Sequence, residues 1–326
     1  MSKVALIIIY NHQYINNIER LENIYRSRFT NIFHLMPFYE GEKENVIPVY
    51  ESSFNFHGYV AQGYNFFRSD SFEHYFFIAD DLILNPLITE SSYKDFFKLS
   101  TMHSFIPGFI TLHNDIDGWK QILKAYRWKI NRRDVEISQL IPEYEDAEKK
   151  FNSQSLEIKE LNYAQIKGVS GNLKNFLSNE IKRLKTNSLK KLTKGVFCFT
   201  RNLIIFMISK ISRRKFRLDY PLVGSYSDIF IVDQSSMNKF IIYCGLFAAS
   251  DLFVEIAIPT SMVLSCGKIN TEKDLKYKGR AIWSQKELSK LSETYNFSIQ
   301  NLLSKFPEDN IYLHPIKISK WSEKNE

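Results

Sequence analysis

Residues 3–9, KVALIII, form an unbroken β-type run with one charge at its start. A strand with one wet face alternates apolar and polar side chains, so a run without alternation suits a strand covered on both faces, as in a parallel sheet packed between helices. A helix should follow, and the next residues supply one. Tyr14–Arg28 places Ile15, Ile18, Leu21, Ile24 and Tyr25 at three- and four-residue spacing with charges between them. Short strands are predicted at Asn31–Met36 and Val46–Tyr50, a second helix at Phe56–Phe67, and a further strand at His74–Ile78. This alternation predicts an α/β domain with a mainly parallel central sheet flanked by helices. Ligands of such sheets bind beyond the carboxyl ends of the strands.

The pattern breaks after Trp128. From residue 129 to 215 the chain is rich in Lys, Glu, Asn and Ser, with helical spacing at Tyr144–Leu161 and Leu173–Leu192, and reads as a helical insertion. Strand-like sequence returns with YPLVGSYSDIFIVD from Tyr220, continues through a helix around Ser235–Ala249, and ends with NIYLHPIKISKW. The formal charge of +7 is unevenly spread: residues 181–217 hold 12 Lys or Arg and no acid, which leaves 31 basic and 36 acidic residues elsewhere. The chain is thus a mildly acidic body with one strongly basic segment. Cys198, Cys244 and Cys266 form no CxxC pair and cannot all pair with one another, which argues for a reducing compartment and against a disulfide scaffold or zinc knuckle. The N-terminal apolar run is short and lacks a small-residue cleavage site, so it reads as a strand rather than a signal peptide. No apolar window is long enough to predict a spanning helix.

The chemistry-bearing feature is FFIADDLILNP, residues 76–86. Two like charges, Asp80 and Asp81, sit at the end of a buried strand, where each costs free energy to desolvate. A divalent cation would offset their repulsion, and hard cations such as Mg²⁺ or Mn²⁺ take oxygen ligands and bring phosphates with them. The alternative is a turn or cap, a common use of adjacent acids. The strand followed by Ala79-Asp80-Asp81 and then Asn85-Pro86 resembles the DxD-type motif of GT-A fold glycosyltransferases, with Ala79 at the first acid position. Three further fragments extend the resemblance in the same order along the chain. In YPLVGSYSDIFIV, Gly224 to Asp228 resembles the glycine-containing loop near the donor sugar. In FAASDLFVEIAIPTSM, Val254-Glu255-Ile256 stands where the family carries its xED motif, and departs from it. YLHPIKISKW resembles the C-terminal histidine motif.

The resemblance covers residues 1–127 and 216–326 and implies a GT-A, Rossmann-like fold with a helical insertion at 128–215. It assigns the nucleotide-sugar to 1–127 and the acceptor to 216–326. It further implies that Asp81, Asp80 and His314 hold Mn²⁺ or Mg²⁺, and that Tyr10, Asn11 and His12, with residues 50–56, hold the nucleotide, Tyr10 stacking on the base. Gly224 and Asp228 would approach the donor sugar, and Lys317 or Lys320 its diphosphate. Glu255 is the first choice for general base and Asp251, four residues earlier, the second. The implied reaction is transfer of a sugar from a nucleoside diphosphate, UDP favoured, to a glycan or polyprenyl-diphosphate-linked glycan in surface polysaccharide synthesis such as O-antigen or capsule, with inversion favoured. The place implied is the cytoplasmic face of the inner membrane, with 181–217 as a peripheral contact to an anionic leaflet.

Two other classes stay open. A sugar-phosphate nucleotidyltransferase would show a glycine-rich basic loop after the first strand, and YNHQYINN has no glycine. A nucleic-acid-binding protein could use the basic segment and nearby aromatics, but no helix-turn-helix or RNP-type pattern is present and the remainder is acidic.

Overall fold

A computed structural model describes residues 3–112, 122–132, 134–167, 169, 173–184, 189–212 and 215–322. The chain divides into two compact units, residues 1–109 with 225–326, and residues 110–224. The first unit is α/β.

In chain order its elements are β1 (Val4–Ile9), α1 (Ile15–Tyr25), β2 (Asn31–Pro37), β3 (Val46–Val49), α2 (His57–Phe67), β4 (His74–Ala79), β5 (Ile83–Leu84), α3 (Tyr93–Phe97) and β6 (His103–Phe105). After the second unit come β7 (Ile229–Asp233), α4 (Gln234–Ala249), α5 (Val254–Ser265), β8 (Lys268–Asn270), β9 (Lys278–Ala281), α6 (Gln285–Thr294), α7 (Ile299–Ser304) and β10 (Asn310–His314). Seven strands form one sheet in the order β8-β6-β7-β4-β1-β2-β3. β4, β1, β2 and β3 pair in parallel, as do β8 and β6, while β7 runs antiparallel to both its neighbours. The mostly parallel α/β architecture is the one the sequence predicts, and it is compatible with a Rossmann-like fold. Every residue of β1 and of β4 is buried, the condition that their unalternated composition anticipates.

From β1 the chain moves outward to β2 and then β3, and next crosses back to place β4 on the other side of β1. The carboxyl ends of β1 and β4 therefore flank the point where the winding reverses, the place where sheets of this kind open a crevice because the two connections leave in opposite directions.

A smaller three-stranded sheet lies immediately past β4. β10 pairs antiparallel with β5, Tyr312 opposite Leu84 and Leu313 opposite Ile83, and in parallel with β9. Side-chain and backbone bonds lock this junction. The buried hydroxyl of Tyr25 donates to Leu82 O at 3.1 Å and accepts from Leu84 N–H at 3.2 Å. Asn85 donates through Nδ2 to Asn310 O at 2.8 Å, 225 positions away in sequence, and Arg28 Nη1 donates to Asn85 O at 2.9 Å.

The second unit begins and ends in a short antiparallel pair, Ile110–Thr111 with Val223–Gly224. Its limits of 110 and 224 replace the predicted 128–215. It includes helices Tyr144–Ser153, Leu173–Leu184 and Leu189–Ile211, so the apolar GVFCFTRNLIIFMISK is helical. Of the basic segment 181–217, residues 185–188 and 213–214 lie outside the described residues.

Removing the Tyr25 hydroxyl would strand a buried carbonyl and a buried N–H. Tyr25→Phe is expected to cost about 1–3 kcal/mol of stability, read as the shift in urea unfolding midpoint at unchanged slope.

Candidate functional site

The crevice collects side chains from four separate stretches of sequence. Asp80 and Asp81 follow β4, and the Asp80 N–H donates to Ile9 O at 2.9 Å, tying the acid pair to the end of β1. Asp228 sits one residue before β7. Because β7 is antiparallel to β4 with Ile229 opposite Ile78, Asp228 falls beside Ala79, whose N–H donates to the Asp228 carbonyl at 2.9 Å. Glu255 occupies the first turn of α5, and its carbonyl accepts from Ser225 N–H at 2.9 Å, which fixes the loop leading to Asp228. His314 ends β10, and the pairing of β10 with β5 returns it to the acids. The Asp81 carbonyl accepts from Ile316 N–H, and His314 Nε2 stands 2.9 Å from Asp81 Oδ1.

Burial and neighbouring carboxylates raise the proton affinity of Asp80, Asp228 and Glu255. Asp80, buried, is pushed up to about 7 by desolvation and then by Asp81; Asn17 Nδ2 on α1, 3.5 Å from Oδ2, and the Asn11 backbone pull the other way. Glu255 is pushed up to about 8 by burial and by Asp228, with His314 opposing. Asp228 is raised by burial, lowered in part by His314 and raised again by Asp81. For His314 burial alone would lower the pKa, but Asp81, Asp228 and Asp80 outweigh burial and raise it. The imidazolium is thus the cation that the crevice itself supplies.

Aromatic rings wall the histidine side. Tyr226 stacks on Tyr312 with ring centres 5.9 Å apart and meets His314 edge-on at 5.6 Å. Trp283, 80% exposed, stands edge-on to Tyr226 at 6.1 Å. None of these three aromatics is among the residues singled out from sequence. Tyr226 and Tyr312 carry a usable signal all the same, because each lies two residues before a predicted site residue, Asp228 and His314, and period-two spacing along extended chain puts both members of such a pair on one face.

Of the predicted residues, the structure brings together Asp80, Asp81, Asp228, Glu255 and His314, with Asn11 touching Asp80. Others go elsewhere. Tyr10 cannot stack on a base: it is wholly buried in the core with Val4, Leu6 and Ile8, its hydroxyl 2.9 Å from His34 Nδ1. The aromatics exposed beyond β1, β2 and β3 are Tyr14, Phe38, Tyr50 and Phe54, with Phe38 and Tyr50 in edge contact at 6.0 Å, and His12 packs against Tyr14. Asp251 is not on the helix that carries Glu255. It lies in the turn between α4 and α5 at φ 57°, exposed, and its electrostatic neighbour is His57. Gly224 belongs to the second unit, paired with Ile110. Lys317 and Lys320 line a small surface cavity with Gln285, Ser289, Phe297 and Trp321.

Among the described residues, no group of three or more His, Cys, Asp or Glu side chains is arranged to hold a metal ion. The pair that fits one is Asp81 and His314. Asp81 Oδ1 is buried and stands 2.9 Å from an imidazole nitrogen, and an oxygen and a nitrogen donor together suit Mn²⁺. No protein family, curated protein or solved structure matches the chain, so the site is read from its own geometry.

The pKa directions set a pH dependence. Asp80, Glu255 and His314 all have folded values above their unfolded ones, so each binds protons more tightly when folded. Their contribution to stability is complete below the unfolded pKa and is lost as pH rises through the folded one. Burial lowers His34 to about 4 and His57 to about 3, which adds the opposite slope below about pH 6.5, so the crevice is read by difference: the melting temperature of Asp80→Asn relative to the parent's is expected to rise between about pH 4 and pH 7, as read by calorimetry across pH.

Proposed function

We propose that this protein is a nucleotide-sugar-dependent glycosyltransferase of GT-A type, moving a sugar from UDP to a glycan or polyprenyl-diphosphate-linked glycan of a surface polysaccharide. The observation that carries the reading is the convergence of Asp80, Asp81, Asp228, Glu255 and His314 at the carboxyl end of β4, where the sheet's winding reverses. Acids at such a point, with a histidine returned from a distant strand, favour a phosphate-bearing ligand neutralised by a cation.

In this reading Asp81 and His314 hold Mn²⁺ or Mg²⁺, and when bound the ion stabilises the charge that builds on the departing diphosphate. Deprotonation of His314 frees Nε2 for that role. Asp80, held by Asn17 and the Asn11 backbone, faces the ribose. Tyr50 and Phe38, rather than Tyr10, offer the exposed rings on which the uracil stacks. Asp228 orients the donor sugar through its hydroxyls.

Glu255 takes the proton of the acceptor hydroxyl. A carboxyl pushed up to about 8 is a stronger base than an ordinary glutamate, and its affinity for the proton matches work near neutral pH. A base of this kind supports inversion at the anomeric carbon. The Trp283 face, open to solvent beside Tyr226, suits the apolar face of a pyranose ring.

UDP titrated by calorimetry is expected to bind in the presence of Mn²⁺ and at least about 100-fold more weakly without it. Absence of metal-dependent binding, or binding by Asp81→Ala equal to the parent's, would overturn the proposal. Tyr50→Ala is expected to weaken UDP by about 1–3 kcal/mol, the range of base–aromatic stacking. With donor and acceptor in hand, Glu255→Gln should lower kcat by about 10²–10⁴-fold while leaving UDP affinity near the parent's.

A further inference from the structure

The helix Leu189–Ile211 of the second unit has two apolar faces, and only one has a partner within the described residues. Its inner face packs on helix Leu173–Leu184: Phe176 stacks on Phe206 at 5.0 Å and on Phe199 at 6.2 Å, and Asn202 Nδ2 donates to Glu180 Oε1 at 2.9 Å. The other side is a stripe at helical spacing, Phe197, Ile204, Ile208 and Ile211, with Val196 and Met207 at its margin. All six side chains are exposed, Phe197 by 72% and Ile211 by 79%. The partner helix carries its own exposed row, Leu173, Leu177 and Ile181, at four-residue spacing.

Isolated exposed apolar residues are ordinary, but a continuous stripe of this length marks a binding surface. Its setting is cationic. Lys194 and Arg201 are exposed on the same helix beside the stripe, and the chain from 181 to 217 has no acid. No helix among the described residues is long and apolar enough to cross a membrane.

We infer that helix Leu189–Ile211 lies flat on the surface of an anionic lipid bilayer, its Phe197–Ile211 stripe in the acyl boundary and Lys194 and Arg201 among the headgroups. The combination of aliphatic depth with uniform positive charge fits that occupant. Nucleic acid offers phosphates to Lys194 and Arg201 but nothing for Ile204, Ile208 and Ile211 to enter, and a second copy would bring like charge against like. The inference stands on the helical unit alone and does not require the transferase reading.

The full chain, in salt of about 0.1 M, is floated with phosphatidylcholine vesicles that contain or lack about one-third phosphatidylglycerol. Co-flotation with the anionic vesicles is expected, with little on the neutral ones and a marked loss at about 0.5 M salt. Ile204→Glu/Ile208→Glu, both at exposed positions, is expected to lose at least about tenfold in partitioning at an unchanged melting temperature, and Ile204→Leu/Ile208→Leu to keep it. The inference is overturned by a wild-type chain that stays in the aqueous layer, or by equal flotation of the glutamate variant. Displacement from vesicles by a short RNA or DNA duplex would also overturn it, as would a wild-type oligomer in sedimentation that the glutamate variant dissolves while vesicles go unbound.

Discussion

The contact between His314 and Asp81, 2.9 Å long, governs the crevice. Asp80, Asp81, Asp228 and Glu255 converge there, and their mutual repulsion adds to the cost of taking each from water. Protons relieve part of that cost, which is why Asp80 and Glu255 hold theirs so far above the ordinary carboxylate range. The imidazolium relieves more. It does so only because β10 pairs with β5 directly beyond the acids, so the electrostatics of the site rest on a backbone ladder two residue pairs long. Tyr25, Asn85 and Arg28 brace that ladder from the side of α1 and thereby hold charge opposite charge.

Under the proposed metal-binding role, the same arrangement would let the crevice exchange one cation for another. A proton on His314 and a divalent ion between His314 and Asp81 answer the same excess of negative charge, and binding one requires release of the other. In that reading the affinity for metal would climb as protons leave His314, because the same side chains serve both.

The sheet is legible in sequence because β1 and β4 lack alternation, and composition alone reports burial on both faces. The acids are legible because like charges at the end of a buried run need an explanation. The stacking role expected of Tyr10 fails for a reason the sequence contains: Tyr10 shares the parity of Val4, Leu6 and Ile8 and so points with them into the core. The role expected of Asp251 fails for a reason it does not contain. The four-residue spacing to Glu255 assumes one continuous helix, and a left-handed residue at 251 breaks it. The limits of the second unit are hidden too, because the change in composition at Trp128 comes later than the change in contacts at Ile110. Long-range pairing, such as that of Asn85 with Asn310, has no local signal at all.

That pairing also has a temporal side. A ribosome delivers Asp80 and Asp81 with the parallel strands that precede them, but β10 emerges only after the whole second unit and the elements from β7 to α7. Until then no ladder covers Ile83 and Leu84, and the acids face water without their imidazole neighbour. Assembly of the acidic crevice therefore waits for β10, and nascent molecules carry an open, uncommitted sheet edge at β5 until it arrives.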